Sequence, residues 1–203
     1  MNRLYFVFAL TVVLAGCVSL HMTSLDLGND YYRAGNYEAA IIEYQKAIYS
    51  NQNNAQAYYQ IGLAYGKLGD TDHALLSYDK AIQLDRNMVN AYINAGAIYL
   101  KKNEFIKAID YFTAAIQLNQ SDPLSFYNRG IAYYKQSKYE LAISDFDSAL
   151  KIIPTDADAL TMRGNSYAQR GSYKEAISDY KKAILIDPYN DEAKNNLALV
   201  EKL

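Results

Sequence analysis

Few residues in this sequence are able to do chemistry. Of its 203 residues only one is Cys, Cys17, and two are His, His21 and His73. A single Cys excludes an intramolecular disulfide and a zinc site built on Cys ligands. His73 has no Cys partner and His21 lies close to the N-terminus, so neither belongs to a catalytic pair. Asp145, Asp147, Glu175 and Asp179 fall in stretches of helical periodicity, where carboxylates ordinarily solvate an outer face. Arg129 and Arg163 take the place of an apolar residue and could pair with Asp145 or Asp179; the sequence does not decide it. No glycine-rich phosphate loop, metal-ligand spacing or nucleophile elbow occurs. The expectation is a protein that is not an enzyme and that holds neither cofactor nor metal.

Composition narrows the classes further. With 51% hydrophobic and 21% charged residues and a formal net charge of −2, the chain is neither disordered throughout nor a polytopic membrane protein. There is no basic excess, which argues against nucleic acid as a partner. Three Pro and ten Gly exclude fibrous and low-complexity classes. The anomaly is 21 Tyr with no Trp.

The first twenty residues read MNRLYFVFALTVVLAGCVSL. Arg3 precedes a mainly apolar run from Leu4 to Ala15, 12 residues long, against the ~20 that a membrane-spanning helix needs. Such a run fits the core of a secretory signal. Leu14-Ala15-Gly16-Cys17 resembles the bacterial lipobox, in which a peptidase cuts before a Cys that already carries a lipid. The resemblance implies a signal peptide over 1–16, lipidation of Cys17 and a short tether over 17–22. Several acyl chains on one residue give stable anchoring. Val18 stands where an Asp would retain the protein at the inner membrane, so the implied address is the outer membrane, facing the periplasm.

The elements that would position any site come from a repeat. Gly28, Gly62, Gly96, Gly130 and Gly164 are spaced 34 residues apart. Tyr31, Tyr65, Tyr99, Tyr133 and Tyr167 keep the same interval, as do Ala40, Ala74, Ala108, Ala142 and Ala176. An aromatic column follows at Tyr44, Tyr78, Phe112, Phe146 and Tyr180, then Ala47, Ala81, Ala115, Ala149 and Ala183. Tyr58, Ile61, Gly62 and Tyr65 trace one face of an amphipathic helix. Gly62 is expected to admit the second helix, where Ala74 and Ala81 are also small, and Tyr78 to fill the gap between neighbouring repeats. Gly35, Gly69 and Gly171 stand where a left-handed residue ends a helix, Asn103 suits the same place, and Ser137 suits it less well. Most of the Tyr excess is thereby assigned to packing.

This period and these columns resemble the tetratricopeptide repeat. The resemblance implies an all-α fold: a right-handed solenoid of five helix–turn–helix repeats over 23–190, with boundaries near 21–54, 55–88, 89–122, 123–156 and 157–190. First helices are expected near 23–34, 57–68, 91–102, 125–136 and 159–170. Second helices are expected at 37–50, 71–84, 105–118, 139–152 and 173–186. Residues 191–203 read as a capping helix with Leu197 and Val200 turned inward.

Such solenoids present a concave face made by the first helices. The resemblance places on it Asn29, Tyr32 and Arg33, Tyr59 and Lys67, Asn94 and Lys101, Tyr127, Asn128, Tyr134 and Lys135, and Asn165. Arg33, Lys67, Lys101 and Lys135 form a basic ladder beside Tyr and Asn side chains suited to holding peptide backbone. Some relatives clamp a C-terminal carboxylate; the matching positions here, Leu25, Asn29, Gln60, Asn90 and Asn94, lack the cationic residues, so that clamp is absent. The expected function is a membrane-anchored scaffold binding protein or peptide segments of acidic character during assembly of an envelope complex, such as pilus, secretion or outer-membrane machinery. The alternative is a regulatory adaptor of an envelope enzyme such as a peptidoglycan hydrolase, protease or glycosyltransferase. Partner identity and oligomeric state are not written in the sequence.

Overall fold

The computed structural model describes residues 22–202. The expected signal peptide, Cys17 and His21 lie outside the described residues, as does Leu203. Among the described residues there are helices and no strands. The first pair is α1 (Ser24–Arg33) and α2 (Tyr37–Ser50), followed by α3 (Ala55–Leu68) with α4 (Thr71–Leu84). The third pair is α5 (Val89–Lys101) with α6 (Phe105–Leu118), and the fourth α7 (Pro123–Lys135) with α8 (Tyr139–Ile152). Helices α9 (Ala157–Gln169) and α10 (Tyr173–Ile186) complete the pairs, and α11 (Asp191–Val200) closes the array.

Four first helices, α3, α5, α7 and α9, begin two residues earlier than the periodicity implies. For three of them the reason is capping chemistry, whereas α5 starts after Met88 without a side-chain cap. The side chains of Asn54, Asp122 and Asp156 accept hydrogen bonds from the backbone N–H of Ala57, Ser125 and Ala159, satisfying donors that the helix cannot. Pro123 sits at the first helical position of α7, where its missing N–H costs nothing. Thr23 and Asp26 form a reciprocal capping box at the start of α1, and these bonds hold the Asp26 carboxyl below the usual carboxylate range. Helix α11 stops at Val200, short of the expected 203, with Leu197 half-buried and Val200 buried.

The turns between paired helices need a positive φ. Gly35, Gly69 and Gly171 adopt it at 81°, 80° and 83°, and so do Asn103 at 60° and Ser137 at 59°. Asn tolerates that region through its short polar side chain, whereas Ser accepts some strain.

Packing shows why the glycine column exists, and the reason differs from the expectation. A Cβ on Gly62 would lie 2.5 Å from Cε1 of Tyr78, and one on Gly96 would lie 2.8 Å from Cε1 of Phe112. The glycine therefore makes room for the aromatic ring of its own repeat. The same rings also reach the next repeat: Tyr78 shares a core cluster with Ala91 and Ala95, Phe112 with Ala132, and Tyr180 with Ala193. One ring thus joins three helices, which couples each repeat to its successor.

Neighbouring first helices also meet: α1 touches α3, α5 touches α7, α7 touches α9, and α9 touches α11. Among the described residues, second helices make no contacts of comparable extent with one another. First helices are accordingly crowded on the inner side of the curve, and second helices spread on the outer side.

Candidate binding groove

The inner side is lined by the first helices. Its polar side chains fall into two sets, one committed to the scaffold and one free.

The committed set is built around two asparagines. The Asn29 side-chain oxygen accepts from the Tyr44 hydroxyl and from Gln60 Nε2, each at 3.0 Å. Four repeats later, Asn165 accepts from the Tyr180 hydroxyl and from Asn196 Nδ2, each at 2.8 Å. Asn165 also donates to Glu192 Oε1 at 2.8 Å. The residue types obey a local rule. Where the position after the helical glycine is Asn, the aromatic column carries Tyr; where it is Ala97 or Ile131, the column carries Phe112 or Phe146. A buried hydroxyl needs a partner, and only an asparagine supplies one there. Tyr78 departs from the rule beside Leu63. Tyr78 is only 3% exposed, and its hydroxyl lies 3.8 Å from where a Cβ on Gly66 would be.

Asn165 is only 8% exposed, and its oxygen and nitrogen are both engaged. It positions other groups and offers nothing free to a partner. Asn94 is half-buried and donates to the Tyr59 hydroxyl at 3.2 Å, while Asn128 is half-buried.

The tyrosines of the groove are held by other rings. Tyr32 meets Tyr37 edge-on with centroids 5.3 Å apart, and Tyr134 meets Tyr139 at 5.7 Å. Tyr59 lies 5.9 Å from Tyr78, and Tyr127 lies 5.8 Å from Phe146. Such pairs restrict rotamers in advance, so less conformational entropy is lost when a ligand binds. Burial pushes the Tyr127 phenol up to about 12, and the carboxylates of Asp158, Asp156 and Glu192 add to the shift.

Lys67, Lys101 and Lys135 are exposed at the C-terminal ends of α3, α5 and α7 and make no ion pair among the described residues. Cations there also complement the helix dipoles. Arg33 is partly occupied, since its Nη1 donates to Asp30 on the same helix at 2.6 Å. The free part of the ladder therefore has three members.

Arg129 and Arg163 do not join the groove. Arg129 grips Asp145 through Nε at 2.8 Å and Nη2 at 2.7 Å, and Arg163 grips Asp179 through the same atoms at 2.7 Å each. Their third contacts go back one repeat, to the Thr113 hydroxyl and to Asp147. These are inter-repeat clasps. His73 Nδ1 lies 2.7 Å from Asp70, and its ring stacks on Tyr65, an arrangement at the start of α4.

Two residues at the far end of the groove, Glu192 and Asn196, are missed when the period is stopped at the fifth repeat. They lie 34 residues after Asp158 and Met162, so the same interval carried into α11 finds them.

Family models place the same repeats in the sequence. A model described as TPR repeat matches residues 28–69 and 96–137. A second, described as Tetratricopeptide repeat, matches 55–88, 123–156 and 157–190, together half of the chain. Among solved structures, MamA is 26% identical with a TM-score of 0.76, the match covering 83% of this chain and 92% of that one. YrrB, described as a TPR protein with an unusual peptide-binding site, is 24% identical with a TM-score of 0.77, covering 89% and 91%. A thermophilic TPR protein of Thermus thermophilus is 20% identical with a TM-score of 0.62, covering 89% and 98%. The last two likenesses concern the fold. No match is found among the curated proteins.

Proposed function

Since the chain belongs to the tetratricopeptide repeat family, we propose that it is a protein–protein interaction scaffold whose concave groove takes an acidic segment of a partner. The fold is typical of such scaffolds. The observation that carries the reading is the row of unpaired Lys67, Lys101 and Lys135 beside tyrosines already fixed by other rings. A bound chain meets π surface and amide groups along its length, and its carboxylates meet the ladder.

The reading continues outward to the cell envelope, on the strength of Leu14-Ala15-Gly16-Cys17. A lipid on Cys17 would leave six residues before Thr23, a reach of roughly 20 Å when extended. The groove would then work close to a bilayer, on partners that are themselves at the membrane, as in assembly of an envelope complex. Cys17→Ala is expected to leave the chain uncleaved and without an acyl label. Mature-sized, lipid-labelled mutant protein would overturn the anchor.

The groove is tested by changing Lys67, Lys101 and Lys135 together to Glu. Each exposed charge contributes about 0.2–1 kcal/mol, so a triple change is needed for a clear effect. Capture of partners from solubilised membranes, read by mass spectrometry, should fall several-fold while the helical circular dichroism signal stays. Added salt should weaken wild-type capture in parallel. Undiminished capture by the triple variant at low salt would remove the ladder from the binding surface. The identities of the captured proteins separate assembly components from enzymes.

A further inference from the structure

The groove changes sign along its length. The basic column Arg33, Lys67, Lys101 and Lys135 ends in Gln169 at the fifth repeat. At the opposite end of the first helices, the column six residues before each helical glycine reads Met22, Gln56, Asn90, Leu124 and Asp158. One further period places Glu192 in that column. It is neutral over four repeats and acidic in the last repeat and the cap.

At this acidic end a cleft of about 510 Å³ opens between α7, α9, α10 and α11. Tyr134, Tyr173, Tyr180, Glu192, Asn196 and Leu199 are among its lining residues, and among the described residues neither Lys nor Arg lines it. Glu192 is exposed, and its Oε1 is fixed by Asn165, which Tyr180 and Asn196 hold in turn. The carboxylate is thereby oriented on a rigid mount, with Oε2 left without a partner among the described residues. Tyr173 is 40% exposed and Tyr134 half-buried. Burial pushes the phenols of Tyr134 and Tyr180 up, and the Glu192 charge pushes both further.

We infer that this cleft seats one cationic side chain of the partner segment, a lysine ammonium or an arginine guanidinium, paired with Glu192 and flanked by the rings of Tyr134 and Tyr173. Aromatic rings beside a carboxylate attract a cation through both charge and quadrupole. The apolar stem of a Lys or Arg matches Leu199 and Val200, which share the lining. The inference rests on the groove reading and adds a direction to it. A bound segment lies with its acidic part toward the ladder and its basic residue at the cap, and the reverse orientation sets like charges against each other.

The test uses small probes that need no known partner. Nα-acetyl-lysine methylamide and its neutral isostere Nα-acetyl-norleucine methylamide are titrated into the ¹⁵N-labelled full chain in detergent. The lysine probe should shift the amide signals of Ala168, Gln169, Tyr173, Glu192 and Asn196 saturably, with an affinity at least about fivefold above the isostere. Glu192→Gln retains an oxygen able to accept from Asn165, and it should erase the preference without altering the circular dichroism spectrum. Equal affinities for the two probes, a preference for Nα-acetyl-glutamate methylamide, or a lysine preference that survives Glu192→Gln would overturn the inference. These outcomes are independent of the ladder experiment. A lysine-selective cleft with an inert ladder would reject the groove reading alone.

Discussion

Replacing Arg163 with Met is expected to lower the free energy of unfolding by about 3–5 kcal/mol, because it strands a buried carboxylate. The Asp179 side chain is 4% exposed and receives both arms of the Arg163 guanidinium, itself 17% exposed. Without the guanidinium, the Asp179 carboxylate stays buried with no counter-ion, which costs free energy. Asp147, half exposed, holds the third arm and contributes less. The companion measurement is the double change Arg163→Met with Asp179→Leu, which removes both charges and should recover most of the loss. Urea unfolding with an unchanged slope reads both effects. A loss below about 1 kcal/mol for Arg163→Met would show that the clasp is solvated in the working protein.

Phe112→Ala is expected to cost a similar amount, about 3–5 kcal/mol, by a different route. The ring is fully buried, seated on Gly96 and packed with Ala108, Ala115 and Ala132. Its cluster also holds Ile93, Leu100 and Ile109, and the cost depends on how far these can move into the vacated space. Repeat three stands at the middle of the array, so the cavity also weakens coupling between the two halves. Phe112→Tyr should cost less, about 1–3 kcal/mol, since the added hydroxyl meets Ala97 where Asn29 and Asn165 serve the outer repeats. Thermal unfolding of the three proteins ranks them. Equal stability of Phe112→Tyr and wild type would remove the pairing rule between the asparagine and tyrosine columns.

Much of the fold was legible because a solenoid repeats one local solution. Five glycines at one interval fix the register of every helix, and Asn103 and Ser137 stand where a left-handed turn is needed even without glycine. The early starts of α3, α7 and α9 were also readable, since Asn54, Asp122 and Asp156 recur at the same period as caps. The reason for the glycine column was not readable. Periodicity says that a position is small, and only packing says that Tyr78 occupies the space on Gly62. The groove divides in the same way. Residue type and column place Lys67, Lys101 and Lys135 outward, but Asn165 looks equally available until its contacts with Tyr180, Asn196 and Glu192 are known. Whether Arg129 and Arg163 find Asp145 and Asp179 depends on distances across two helices, which no sequence interval supplies.

The claim that the concave face carries the partner is tested most directly by site-specific photocrosslinking in native membranes. The photoreactive phenylalanine analogue benzoylphenylalanine is placed at Tyr59 or Tyr134 on the groove, or at Leu76 or Ile106. The latter two are exposed on second helices, at 67% and 71%. Adducts to the same partner protein should form from Tyr59 and Tyr134, be weak or absent from Leu76 and Ile106, and diminish when Lys67, Lys101 and Lys135 are changed to Glu. Adducts that form from Leu76 and Ile106 but not from the groove positions would contradict the account and move the binding surface to the outer helices.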